Sequence, residues 1–204
     1  MDLTIGLLLI ALGAYLLKVS EQRKRIALLG RHLQQHQIEK LMLDLTLGYE
    51  RALGETLPER QAQVWQVLTT TEAALSAQFQ RFVADFALVD AAQTRVSQIA
   101  MALPFAVKLF PAATFDLRRV LAIHAQGLRL AAQPSTTQSD KSRAFTYSAE
   151  LFLMQHTCHW FCRSKNVASA RLLGRHHSSY AQVLASVSPQ TRQAYLALLA
   201  GKRQ

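Results

Sequence analysis

The sequence predicts an all-α protein, with a single N-terminal transmembrane helix followed by a cytoplasmic multi-helix bundle. Three observations carry that expectation. Residues 3–17 read LTIGLLLIALGAYLL, fifteen positions without a charge. Beyond them the apolar residues return at steps of three and four rather than in sustained alternation, the helical period. The clearest stripe is Val64, Leu68, Thr71, Leu75, Phe79, Phe82 and Phe86, which needs a surface to pack on.

The first segment, 1–19, reads as the anchor. With Lys18, whose stem can snorkel, and Val19, the apolar run reaches seventeen residues, or about 25 Å of helix against a ~30 Å hydrocarbon core. Local thinning absorbs a shortfall of that size. A cleaved signal peptide needs positive charge before the apolar run. Here Asp2 precedes the run, whereas Lys18, Arg23, Lys24, Arg25 and Arg31 follow it. The positive-inside rule then puts the N-terminus outside and the rest in the cytoplasm, at the inner membrane.

Residues 20–53 continue as one juxtamembrane helix or stalk, with Gly30 and Gly48 as weak points. A stop follows at Gly54, and Thr56-Leu57-Pro58-Glu59 reads as a capping box with proline in the first turn. It opens a bundle over 54–132 whose first helix carries the stripe to Phe86. That stripe serves a core or an intermolecular helix seam, so a homo-oligomer is compatible with it. A shorter helix spans residues 90–103. Residues 99–115, IAMALPFAVKLFPAATF, read as a buried helix–turn–helix corner punctuated by Pro104 and Pro111, with an interfacial segment as the other reading. A helix over 115–132 closes the bundle. The polar stretch 133–142 (QPSTTQSDKS) is a linker, and 143–204 forms a basic helical C-terminal subdomain, its last helix capped and started by Ser188-Pro189.

Charge separates the two halves. Through Asp116 there are eleven basic and eleven acidic residues; from Leu117 onward twelve Lys and Arg face only Asp140 and Glu150. A polyanion, nucleic acid or anionic lipid, is the natural counterpart, and a solvated basic face is the plainer use.

No enzyme is expected. The chain has no phosphate-binding glycine loop, no nucleophile elbow and no metalloprotease helix. The cluster His156, Cys158, His159 and Cys162 has ligand chemistry, but one helix cannot wrap a tetrahedral metal with four successive donors. His124, His176, His177 or a second chain would have to contribute, so no cofactor is expected.

The stretch 166–185, NVASARLLGRHHSSYAQVLA, resembles a Fis-type helix-turn-helix. The resemblance implies a small residue at the helix crossing, Ala170, and a glycine in a left-handed turn, Gly174. Leu173, Tyr180, Val183 and Leu184 would supply apolar contacts. His177, Ser178, Ser179, Ala181 and Gln182 would begin or line a recognition helix. Arg171 and Arg175, joined by nearby Arg163 and Lys165, would meet phosphates. Ser169, Arg175 and Tyr180 depart from the usual residue types at their positions.

Two functions are therefore in view. One is a membrane-tethered scaffold or adaptor acting on a protein partner; the other is a membrane-anchored DNA-binding protein.

Overall fold

A computed structural model describes residues 2–133 and 138–201, with side chains from residue 4 onward. The described residues form nine α-helices and one small β-ribbon.

The first helix, α1 (Asp2–Leu33), runs without interruption through the expected junction at residue 19. The helix expected over 20–53 instead breaks at residues 34–37, and α2 (Ile38–Gly54) starts afresh. Packing explains the break. Leu29 on α1 and Ile38, Leu45, Tyr49 and Ala52 on α2 are all buried in one core, which a straight rod could not achieve. The end of α3 (Pro58–Phe86) holds the corner: His32 meets Phe86 edge-on at 5.4 Å, and His36 Nε2 lies 3.1 Å from Asp85 Oδ2. A Cβ at Gly48 would overlap Leu68, so glycine allows α2 and α3 to approach closely there.

At the start of α3 the expected capping box does not form. Glu55 Oε1 accepts from the amides of Thr56 (3.0 Å) and Leu57 (3.1 Å), and Pro58, already fixed near helical φ, opens the helix. The stripe on α3 is the backbone of the core: Leu68, Leu75, Phe79, Phe82 and Phe86 are buried. Polar Glu72 sits among them. It accepts from Tyr49 Oη (2.7 Å) and Arg143 Nε (3.2 Å), and its carbonyl takes Tyr147 Oη (2.9 Å). Burial nevertheless raises the Glu72 carboxyl above its ordinary range, against the pull of Tyr49 and Arg143.

The helix expected over 90–103 is absent. Its place is taken by turns and by β1 (Arg95–Ser97), antiparallel to β2 (Thr114–Asp116) with Val96 opposite Phe115. Both of those side chains are buried, and Phe115 packs edge-on against Trp160 at 5.0 Å. Between the strands, α4 (Ala106–Leu109) and a 3-10 turn (Pro111–Ala113) fill the connection.

Asp116 ends β2 and caps α5 (Leu117–Ala131), accepting from Arg118 N at 3.0 Å. Residues 134–137 of the expected linker lie outside the described residues. Ser139 caps α6 (Asp140–Cys162), which starts three residues earlier than the sequence suggested. Then come α7 (Lys165–His176), α8 (Tyr180–Ser186) and α9 (Pro189–Leu199), the last capped by Ser188 as expected. Helices α5, α6 and α9 converge at Gly127, where any Cβ would overlap Glu150 and Thr191. One continuous apolar core runs from Leu29 on α1 to Tyr195 on α9.

Candidate membrane-proximal site

Two halves of α1 have opposite surroundings. The helix is long and apolar enough to cross a membrane over Thr4–Leu33, with a mean hydropathy of 1.6 in its most apolar window and none of that window buried. Leu8 and Ile10 are 69% and 71% exposed, an arrangement unfavourable in water that marks a surface for lipid or for another protein. From residue 21 onward the same helix is built into the bundle. Arg163 Nη1 donates to buried Gln22 (2.7 Å), and Arg25 Nη1 donates to the Phe161 carbonyl (3.3 Å) with its guanidinium over the Phe161 ring.

Beside this exit lies the segment 99–115 expected to be a buried corner; it buries Ala106 and Phe115 but not its other large side chains. Met101, Leu103, Phe105, Leu109 and Phe110 are all exposed. Their backbone, by contrast, is pinned. Trp160 Nε1 donates to Ser97 O (2.9 Å), Asn166 N to Ala100 O (3.1 Å), and Phe105 N to Glu21 Oε1 on α1 (3.2 Å). Phe105 itself takes the left-handed conformation, φ 56°, which is costly for an aromatic residue. The prolines flank a short irregular span here, too short to bury both faces, so its apolar side chains point outward.

Between α1, the turn before β1 and α4 lies an open cavity of about 650 Å³. Lys24, Arg25, Arg95 and Lys108 line it, with Leu28 and Val107 among its apolar walls and Glu21 and Asp116 as its acids. Both acids are engaged, Glu21 by Phe105 N and Asp116 by Arg118 and Thr94. The bonds from Arg118 and Thr94 hold the Asp116 carboxyl below its ordinary range, against the opposing effect of burial. Lys24, Arg95 and Lys108 make no ion pair among the described residues.

The residues singled out for polyanion binding are not gathered into one site. Arg163 is committed to Gln22 at the α1 exit. Lys165 Nζ lies 5.2 Å from both the Trp160 and Tyr180 rings. Arg171 meets His159 Nδ1 at 3.1 Å, and Arg175 is exposed further along α7. A smaller cavity of about 360 Å³ lies between these two arginines, His159 and His176. Burial and the two arginines push the His159 imidazole below its ordinary value.

The helix-turn-helix expectation fails in its turn. Gly174 lies inside α7 and has no positive φ; the left-handed residue is His177, φ 51°. Ala170 and Leu173 are exposed, and α7 buries Ala168 and Leu172 instead. The second helix, α8, has seven residues, and Ser179 and Gln182 are occupied in its capping box. Ser178 Oγ turns back to the His176 carbonyl.

The four candidate metal ligands serve separate purposes. His156 Nε2 is 3.1 Å from Ser169 Oγ and its ring stacks on Tyr180, while Cys158 Sγ donates weakly to Met154 Sδ. Burial pushes the Cys158 and Cys162 thiols up to about 12 and about 11. No group of three or more His, Cys, Asp or Glu among the described residues could hold a metal ion.

Sequence reasoning missed Lys24, Arg95 and Lys108 as a group, because they come from three distant segments. Lys108 inside an apolar stretch was the one visible hint. The fold and site together define a helical protein with one candidate membrane span and a cationic, apolar-rimmed cavity beside it. No family model, no curated protein and no solved structure matches the chain.

Proposed function

We propose that this protein is a membrane-tethered helical scaffold or adaptor. In this reading α1 spans the inner membrane with its N-terminus outside, and the bundle works at the cytoplasmic face. One observation carries the proposal: α1 passes uninterrupted from an apolar half with no buried residue into a half that is part of the bundle core. Such a helix holds the bundle at the membrane in a defined pose, which is what a scaffold requires and a flexible tether does not supply.

A partner surface is available at the far end. There a cavity of about 460 Å³ is lined by Leu53, Trp65, Ala144 and Phe145, and Phe145 is 66% exposed. It lies about 27 Å along α6 from Arg163. Apolar surface of this kind, away from lipid, suits a protein partner.

The test uses the full chain in its membrane. A photocrosslinking residue at Phe145 should yield one discrete protein adduct, and Leu53→Asp should abolish it. An absent adduct, combined with salt-sensitive duplex DNA binding by the disc-reconstituted chain, would overturn the scaffold reading.

A further inference from the structure

The membrane-facing end of the bundle has two features that a simple tether does not need. Five large apolar side chains within ten residues, Met101 to Phe110, stand exposed on a backbone fixed to α1, α6 and α7. Next to them is the 650 Å³ cavity, where Lys24, Arg95 and Lys108 have no ion-pairing partner and both acids are engaged.

Position along α1 sets the depth of these features. Lys24 stands five residues, or about 7 Å, beyond Val19. The headgroup band on each side of a bilayer is roughly 5–8 Å thick. A lysine at that level can reach a lipid phosphate, and the 101–110 segment, bonded to α1 at Glu21, stands about 3 Å beyond Val19, at the inner edge of the headgroup band. Aromatic and aliphatic residues beside unpaired cations are the chemistry that interfacial segments present to anionic lipid.

We propose that this cavity is a binding site for one anionic phospholipid of the cytoplasmic leaflet. Lys24, Lys108 and Arg95 hold the headgroup phosphate, Leu28 and Val107 line the glycerol region, and the 101–110 segment enters the interface as a second point of membrane contact. The proposal rests on the reading of α1 as a span, and it deepens that reading by fixing which side of the bundle lies against the bilayer.

The experiment reconstitutes the full chain in phosphatidylcholine nanodiscs and titrates dansyl-labelled lipids. Energy transfer from Trp160, which hydrogen-bonds to Ser97 two residues from Arg95, reports occupancy in a Trp65→Phe background. Wild type should bind dansyl-phosphatidylglycerol about tenfold more tightly than dansyl-phosphatidylcholine, and Lys24→Gln/Lys108→Gln should erase most of that preference. Both lysines are exposed, so the variant keeps its fold. Met101→Ser/Phe110→Ser should lower the transfer for both lipids about threefold by lifting the segment out of the interface. Equal affinity for the two lipids in wild type, or an undiminished preference in the double lysine variant, overturns the proposal. Co-elution of protein with discs is scored separately: a chain that stays out of the discs overturns the span itself, whereas a chain that enters without lipid preference overturns only the lipid site.

Discussion

The two ends of the bundle handle charged groups in opposite ways. At the distal end, where α2, α3 and α6 meet, Glu72 is fully buried and surrounded by donors: Tyr49, Arg143 and the charge of the latter. At the end where α1 leaves the bundle, large apolar residues face outward and Lys24 and Lys108 make no ion pair among the described residues. At the distal end the buried charges are paired within the chain, while Leu53 and Phe145 stand exposed beside them. At the α1 end Lys24, Arg95 and Lys108 make no ion pair among the described residues, and the contrast is what the proposed lipid contact would account for.

Changes at one end should therefore leave the other unaffected. The largest effect is expected from Leu9→Arg/Ile10→Arg. Two arginines at the helix centre oppose insertion by about 6 kcal/mol, so the chain should move from the carbonate-resistant membrane fraction to the soluble fraction. Its bundle should keep its melting temperature in detergent.

Arg143→Ala attacks the distal end. It leaves buried Glu72 without its cation and should destabilise the bundle by about 3 kcal/mol in denaturant titrations, with membrane retention unchanged.

A smaller effect concerns acid. His124 is fully buried, and Thr157 Oγ1, which gives its own hydrogen to Leu153 O, accepts from His124 Nε2 at 2.9 Å. Burial pushes this imidazole down to about 3, and His156 down to about 4. Both are neutral in the folded chain, while the unfolded chain takes up protons below about pH 6.5. Their stabilisation is thus full above that pH and is lost as pH falls toward the depressed values. The raised carboxyls of Glu72 and Glu150 act in the opposite sense, gaining protons early as pH falls. Melting curves of His124→Asn should fall less steeply than wild type between about pH 6.5 and 4.5, and an unchanged slope would remove His124 from the account.

The smallest effect separates strain from function. Phe105→Gly removes the penalty of a left-handed aromatic and should stabilise the detergent-solubilised bundle by about 1 kcal/mol. In discs it should weaken the interfacial contact.

The legible parts of this molecule were those with a local cause. The candidate span announced itself by fifteen uncharged residues, and α3 by its stripe. Ser188-Pro189 gave the start of α9 because cap and proline act on their own first turn. The misread parts were decided by distant residues. Gly174 is free to end a helix, yet α7 continues to His176, whose ring stacks on Phe152 at 3.8 Å and bonds Gln155. Packing against α6 outweighs the local freedom of glycine. The ribbon was invisible because three residues per strand give no alternation, and only burial of Val96 against Phe115 shows the pairing. The cationic cavity needed the fold, since Lys24, Arg95 and Lys108 converge from α1, β1 and α4.

The unbroken course of α1 has a mechanical consequence. Its 32 residues make a rod of about 48 Å, with the inner half fused to the core and no hinge at the interface. A tilt of about 10°, such as a change in bilayer thickness imposes on a mismatched span, displaces one end of that rod against the other by about 8 Å. The bundle must turn with it. On the proposed reading of α1 as a span, it would be a lever rather than a leash: the thickness of the membrane at one end would set the angle at which the distal apolar surface is presented at the other.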